Sequence, residues 1–448
     1  MHVDAQRGRR PSGRRPRVVL VTGPPGAGKT TLCRTVVEMA RRRRLRVAGL
    51  LTESRTLASG RVVQTVVNLR TGERRRLAEY VGEDEGEPVG SGVAGRFSWQ
   101  FVSDSVRWGR HELERCIGRE VDLLVIDQIG PLEVVAGSGW TNALAVLGEA
   151  RAGLSLVVVN PLVIDELRRR LDVDGATVIE VDTSSRGVIP EHLAAAAGWS
   201  TVMGQALLSG VPADLLATDL DGTVLGPGGD LLAPELPTAV RHLAASGITL
   251  VLCTGRSTEY ALEGARALGA SSGYGLSYGG AMTVDLSTGN VISRTRLTGQ
   301  LASQIVRLAR ELGLAVDPIP RCGDPVRLLL TGAPAAIDRA AESLACVVRR
   351  QVVMLRPTPE ALAVQAAGAT KHAALAALTK ALGVDEGRTV YLGDADDDAG
   401  ALRWAGLGIA MSAGTTAARG AADLEVPAER VPEMLVRVAL ARRLNGPS

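Results

Sequence analysis

The chain has 448 residues, 46% of them hydrophobic, enough for two or three domains with ordinary buried cores. A formal net charge of +3 and only 3% aromatic residues weigh against a surface built for single-stranded nucleic acid, which needs basic residues interleaved with stacking rings. Five scattered cysteines without CxxC spacing (Cys33, Cys116, Cys253, Cys322 and Cys346) exclude a disulfide framework or zinc site and fit a reducing cytoplasm.

Residues 1–17, MHVDAQRGRRPSGRRPR, hold much of the positive excess, lack apolar periodicity and read as a disordered basic tail. Its paired arginines precede a short strand and a glycine loop instead of the apolar core of an export signal, and no stretch is long enough to span a membrane. A cytoplasmic protein is expected. The tail carries no folded reading element, so a nucleic-acid-binding role has little support.

Val18 to Thr22 reads as a short apolar strand leading into GPPGAGKTT, Gly23 to Thr31, which matches G-x-x-x-x-G-K-[ST] in full and runs into the helical LCRTVVEMARRRR. This order of strand, loop and helix points to a phosphate-binding loop. Gly23, Gly26 and Gly28 let backbone amides approach the phosphates, Lys29 can reach the outer phosphates, Thr30 can ligate Mg²⁺, and Thr31, directly after the motif, is a further nucleotide-binding candidate. Arg41 to Arg44 fall where the helix should end, so a solvated face meeting the helix dipole is expected there. A second buried strand, Val121 to Asp127, ends in the carboxylate expected to hold Mg²⁺ through water. Leu154–Pro161 and Ala176–Asp182 read as further core strands.

The segments VIDQIGPLE, GLLTESR (Gly49 to Arg55) and VAGRF (Val93 to Phe97) resemble the THEP-type nucleoside-triphosphatases. The resemblance covers residues 18–208 and implies a phosphate-loop fold that binds a nucleoside triphosphate, ATP or GTP. That family has Glu directly after the strand aspartate, and this chain has Gln128, a neutral amide that can position water but is a poor base. Glu133 could substitute. Arg186, in the TSSR segment, lies where the family has a loop near the base; a nucleotide contact and a merely exposed arginine are both open.

Residues 209–214 form a linker to LLATDLDGTVL, where the apolar run from Leu215 ends in Asp219 and Asp221. The carboxyl end of a buried parallel strand is where open α/β sheets place their chemistry. One carboxylate can attack phosphorus while the other moves a proton. The strand Ile248–Cys253 delivers Thr254 and Gly255, a hydroxyl and an amide for a phosphate oxygen. Lys371 opens an amphipathic helix, and Asp394 and Asp398 follow the strand Thr389–Leu392.

Aspartates, threonine, lysine and aspartates in this order resemble the haloacid dehalogenase superfamily, specifically its Cof-type phosphatases. The resemblance implies that Asp219 is the nucleophile, Asp221 the general acid and then base, Thr254 a phosphoryl ligand and Lys371 the neutralising cation. It also implies Mg²⁺ held by Asp219, the Asp221 carbonyl and Asp394, with Asp398 direct or supporting, and a small phosphorylated, sugar-phosphate-like substrate. Asp397, Gly279 and His372 depart from the family's Asn, Asn and Gly. Residues 271–360 carry strand-like AMTVD, VRLLLTG and QVVMLR and helical LASQIVRLARELG and AAIDRAAESLA, similar to the α+β cap of that branch.

The expectation is two three-layer α/β modules: a phosphate-loop domain over 18–208 and a Rossmann-like phosphatase core over 215–270 and 361–448, with a cap over 271–360. Phosphomonoester hydrolysis is the activity expected. The alternatives are nucleotide hydrolysis as the main activity, or a nucleotide-sensing module that gates the phosphatase.

Overall fold

The computed structural model describes residues 17–80, 99–171, 176–183, 185–199, 213–320 and 323–445. The tail before Arg17, the VAGRF segment, Cys322 and residues 209–212 of the expected linker lie outside these residues. The chain divides into two compact units, residues 1–206 with 443–448 and residues 207–442. Among the described residues no helix is long and apolar enough to cross a membrane.

In the first unit, one sheet contains β1 (Arg17–Thr22), β2 (Val47–Thr56), β3 (Val62–Asn68), β4 (Arg74–Tyr80), β5 (Trp99–Phe101), β6 (Glu120–Ile129), β7 (Arg151–Val159) and β8 (Thr177–Glu180). Their order is β5-β4-β3-β2-β6-β7-β1-β8. Strands β2, β6, β7, β1 and β8 run parallel, whereas β3, β4 and β5 extend the sheet antiparallel. The parallel strands are apolar runs such as VVLV in β1 and LLVI in β6, buried because helices cover both faces of such a sheet. Strand β2 is buried in its first half and polar in its second, where it leaves the core and pairs with β3. Parallel pairing brings the ends of β1 and β6 to one edge, so the loop after Thr22 and the side chain of Asp127 share a site.

The second unit has its main sheet in the order β13-β12-β11-β10-β9-β18-β19-β20 and a separate sheet in the order β14-β15-β17-β16. These strands are β9 (Leu215–Asp219), β10 (Thr249–Cys253), β11 (Tyr274–Ser277), β12 (Met282–Asp285), β13 (Val291–Arg294), β14 (Ala315–Ile319), β15 (Arg327–Thr331), β16 (Val352–Thr358), β17 (Ala361–Ala366), β18 (Thr389–Gly393), β19 (Leu407–Met411) and β20 (Leu424–Val426). Strand β9, buried along its whole length, pairs parallel with β10 and β18, which puts Asp219 at the centre of the carboxyl edge. The smaller sheet is antiparallel and packs Leu328, Leu330, Leu362 and Val364 against Ile305 and Ile337 from helices Gly299–Glu311 and Pro334–Val347.

The inserted module differs from the expected 271–360 at both ends. Strand β12, the AMTVD segment, hydrogen-bonds to β11 in the main sheet, and β17 lies between β15 and β16 in the small one. Short apolar strands carry no local mark of which sheet they will join, because that is decided by cross-strand pairing with distant segments.

Candidate active sites

In the first unit the phosphate loop leads into the helix Lys29–Arg42, whose first turn carries no acidic side chain. The positive end of the helix dipole therefore faces the loop without local neutralisation. Lys29 folds over the loop, its Nζ donating to Gly23 O (2.7 Å) and Pro24 O (2.8 Å). Burial lowers the Lys29 ammonium from its ordinary range, and Asp127 opposes that shift. The Thr30 hydroxyl donates to Asp127 Oδ2 at 3.0 Å. Asp127 is buried, and loss of solvation pushes its carboxyl up to about 6 against the pull of Thr30, the Thr52 amide and Lys29.

Thr52, in the GLLTESR segment, was not among the expected site residues; its hydroxyl donates to Asp127 O at 2.5 Å. Gln128 is exposed beside it. Glu133 has Oε2 accepting from the Gly130 amide (2.8 Å) and Oε1 from the Trp140 amide (3.3 Å), which fastens the turn after β6. Arg186 is exposed, and its Cδ lies 3.4 Å from where a Gly28 side chain would begin, alongside the phosphate loop. The arginines that end the first helix are partly committed to carbonyls, Arg41 to Leu69 O (2.6 Å) and Arg43 to Trp199 O (2.8 Å).

In the second unit Lys371 begins the helix Lys371–Leu382, capped by the Thr370 hydroxyl, and is 3% exposed. Its Nζ reaches Asp219 Oδ1 (2.5 Å), Asp398 Oδ1 (2.8 Å) and Asp397 Oδ2 (3.1 Å). Burial alone would lower the ammonium; the three carboxylates outweigh it and hold Lys371 well above its ordinary range, charged. Burial pushes the Asp219 carboxyl up, with Lys371 opposing and Asp398 adding to the shift. Asp394 and Asp397 are raised first by burial and then by their acidic neighbours.

Asp398 is fully buried and satisfied by four donors. Lys371 and the Tyr391 hydroxyl (2.6 Å) reach Oδ1, and the amides of Asp394 (3.1 Å) and Ala395 (3.0 Å) reach Oδ2. Asp394, half-buried, accepts from the Thr223 hydroxyl at 3.1 Å. Gly222 lies so close that a side chain there would meet Asp394 Oδ2 at 2.3 Å, and its φ of 78° is one that favours glycine. Oxygens of Asp219, Asp394 and Asp398 lie within 4.8 Å of one another. An all-oxygen, crowded acidic set with a single lysine among it suits a hard divalent cation. Asp219 and Asp394 are the members with coordination to spare.

Thr254 is buried at the end of β10. Its amide donates to Leu276 O and is not free, but its hydroxyl accepts from the Arg256 amide (3.0 Å), which leaves the hydroxyl proton for an acceptor in the site. Asp221 Oδ1 accepts from the Tyr260 hydroxyl (2.7 Å) and pairs with Arg256 (2.8 Å), whose guanidinium stacks over the Tyr260 ring at 4.4 Å. Burial and then Asp221 push the Tyr260 phenol up to about 12. Tyr260 and Arg256 were not foreseen; Arg256 follows directly in the TGRS segment, whereas Tyr260 becomes legible only when the helix Thr258–Ala267 is known to present it.

Both folds and both sites define the same class, phosphate-handling α/β hydrolases. A family model described as NTPase matches residues 18–194, and one described as haloacid dehalogenase-like hydrolase matches residues 216–318 and 323–430. The nucleoside-triphosphatase THEP1 of Pyrococcus abyssi is 32% identical over 149 residues, 33% of this chain and 76% of that protein. The THEP1 protein of Caldivirga maquilingensis is 36% identical over 116 residues, 26% of this chain and 60% of that relative, less than two thirds of its length. The phosphoglycolate phosphatase of Pyrobaculum neutrophilum is 33% identical over 217 residues, 46% of this chain and 86% of that protein. The chain thus belongs to two families, a THEP1-type nucleoside-triphosphatase domain fused to a haloacid dehalogenase-like hydrolase domain.

Proposed function

We propose that the second unit is a Mg²⁺-dependent phosphomonoesterase that works through an aspartyl-phosphate, in a cytoplasmic chain whose first unit binds ATP or GTP. The observation that carries this is the convergence of Asp219, Thr254, Lys371 and Asp394 on the carboxyl edge of β9, β10 and β18. Lys371 holds Oδ1 of Asp219, so Oδ2 is left to attack phosphorus as the bond to the leaving oxygen breaks. Arg256 and Tyr260 hold Oδ1 of Asp221, leaving its Oδ2 to hand the leaving oxygen a proton. Asp221 then takes a proton from water, which attacks phosphorus and breaks its bond to Asp219, releasing inorganic phosphate. The Thr254 hydroxyl and Lys371 neutralise the equatorial oxygens throughout. Asp219, Asp394 and the Asp221 carbonyl would hold Mg²⁺, which supplies charge neutralisation at the phosphoryl oxygens when bound; Asp398, with both oxygens committed, orients Lys371. The small inserted module serves as the cap over a small phosphorylated substrate.

The decisive test is Asp219→Asn in the full-length chain. Phosphate release from the best monoester should fall by about 10³-fold or more with the thermal transition preserved. Substantial turnover in that variant would sink the assignment.

For the first unit, the neutral Gln128 after Asp127, together with the use of Glu133 to fasten the turn after β6, favours nucleotide binding with slow hydrolysis. The same observation favours a second reading, in which nucleotide occupancy regulates the phosphatase.

A further inference from the structure

Arg327, the first residue of β15, reaches out of the small sheet to the phosphate-binding edge of the main one. It is 7% exposed. Its Nη1 donates to Gly255 O at 2.8 Å, one residue past Thr254, and its Nε donates to Gln365 Oε1 at 3.0 Å. Gln365 is itself fully buried and anchored, its amide donating to Ala369 O. The plane of the guanidinium is therefore fixed by two acceptors, one on β17 and one on the loop after β10. Its third nitrogen, Nη2, is buried without any hydrogen-bond partner.

Nη2 lies 3.4 Å from where a side chain on Gly279 would begin, and the Gly279 amide donates to Thr254 O. Gly279 has φ 64° and ψ 26°, a left-handed conformation that glycine and asparagine tolerate best. Gly279 offers no polar side chain beside Thr254, and the Arg327 fork lies there. Across the guanidinium, 5.3 Å from its centre, is the Tyr278 ring. Burial brings Arg327 down to about 10, with Tyr278 and Asp397 opposing, so it stays charged at neutral pH. A buried guanidinium donor left unmet is costly, and the arginine fork matches a carboxylate or phosphate better than any neutral group. Clasping the small sheet to the main one accounts for Nε and Nη1. It leaves Nη2 unexplained.

We propose that Arg327 is the leaving-group subsite, receiving through Nη2 a second anionic group of the substrate, a carboxylate or a second phosphate a few bonds from the phosphoryl group that Thr254 and Asp219 hold. This rests on the phosphomonoesterase reading. The substrate class is then phosphomonoesters of acidic alcohols and bisphosphates, with neutral alkyl phosphates discriminated against because they leave the buried donor unpaired.

The test compares kcat/KM of the full-length chain on two matched pairs: 2-phosphoglycolate with 2-hydroxyethyl phosphate, and glucose 1,6-bisphosphate with glucose 6-phosphate. Wild type should prefer the anionic member of one pair by about 10- to 100-fold, the span of a charged hydrogen bond, and the favoured pair identifies carboxylate or phosphate. Arg327→Met should erase that preference, with kcat/KM on the anionic member falling about 10- to 100-fold further than on the neutral one. Arg327→Lys, which keeps the charge and loses the fork, should retain part of it and carries the test if the methionine variant does not fold. Equal loss on both members would show a clasp only and overturn the proposal. So would wild-type indifference to the second anion. Absence of turnover on all four would instead remove the phosphomonoesterase reading itself, and this inference with it.

Discussion

Asp394 and Asp398 lie four residues apart on one acidic segment, yet the structure gives them opposite energetic roles, and a pair of amide substitutions separates them. Asp398 receives two donors on each oxygen. Asn in its place presents an NH₂ to one of those pairs. The backbone amides of Asp394 and Ala395 cannot turn away, so the NH₂ faces Lys371 and Tyr391. The Tyr391 hydroxyl can rotate to accept, but Lys371 cannot. The loss is then the charge-assisted bond to Lys371 plus the desolvation of a buried donor, together about 3 kcal/mol. For a domain of this size, about 2–4 °C per kcal/mol gives a fall of about 6–12 °C in its thermal transition.

Asp394→Asn removes far less. Asp394 has one hydrogen bond, from Thr223, which an amide oxygen can still accept, and burial and its acidic neighbours already disfavour its charge. Its transition in metal-free buffer should stay within about 2 °C of wild type or rise, while phosphatase turnover falls by about 10²-fold or more and the stabilisation by added Mg²⁺ is lost. Calorimetry of the full-length chain with EDTA and with Mg²⁺ reads both. Equal destabilisation by the two substitutions, or none by Asp398→Asn, would refute this division of labour.

Two predictions concern the first unit. Gln128→Glu, made in the Asp219→Asn background so that only nucleotide hydrolysis is measured, should raise triphosphate turnover by about 10²-fold with affinity changed less than threefold; no gain would mean a module built only to bind. Asp127, raised from 3.8 to about 6 in the folded state, binds its proton more tightly there than in the unfolded chain. Its contribution to stability is present below pH 4 and is lost as pH rises through 6. Asp127→Asn should therefore raise the thermal transition of this unit at pH 7, the gain vanishing near pH 4; a gain independent of pH would contradict the burial argument.

Residues at the ends of apolar strands were legible in the sequence because one local pattern supplies both the strand and its terminus. Asp127, Asp219, Thr254 and Asp394 each follow such a run, and parallel pairing alone then brings Asp219, Thr254 and Asp394 to the edge of one sheet and Asp127 to that of the other. What the pattern could not supply was the inequality among the acids. Asp397 and Asp398 read alike as members of DADDD, and only the packing shows Asp398 met by two backbone amides, a phenol and Lys371 while Asp397 meets Lys371 at 3.1 Å from a less buried position.

Residues that act across the two sheets of the second unit were harder to see for a related reason. Arg327 opens the apolar strand RLLLT, which read as a strand of the inserted module, and Gln365 sits in ALAVQA, which fell outside the expected bounds of that module. A polar side chain in such a run is costly unless its donors and acceptors are met. Gln365 repays that cost by bonding Arg327 and Ala369, which fixes the guanidinium beside Thr254. Gly279, noted only as a missing Asn, lets the loop pass close to Nη2, which lies 3.4 Å from where its side chain would begin. Glycine on the main sheet's loop and arginine from the small sheet thus form one close contact, which brings the charge beside Thr254.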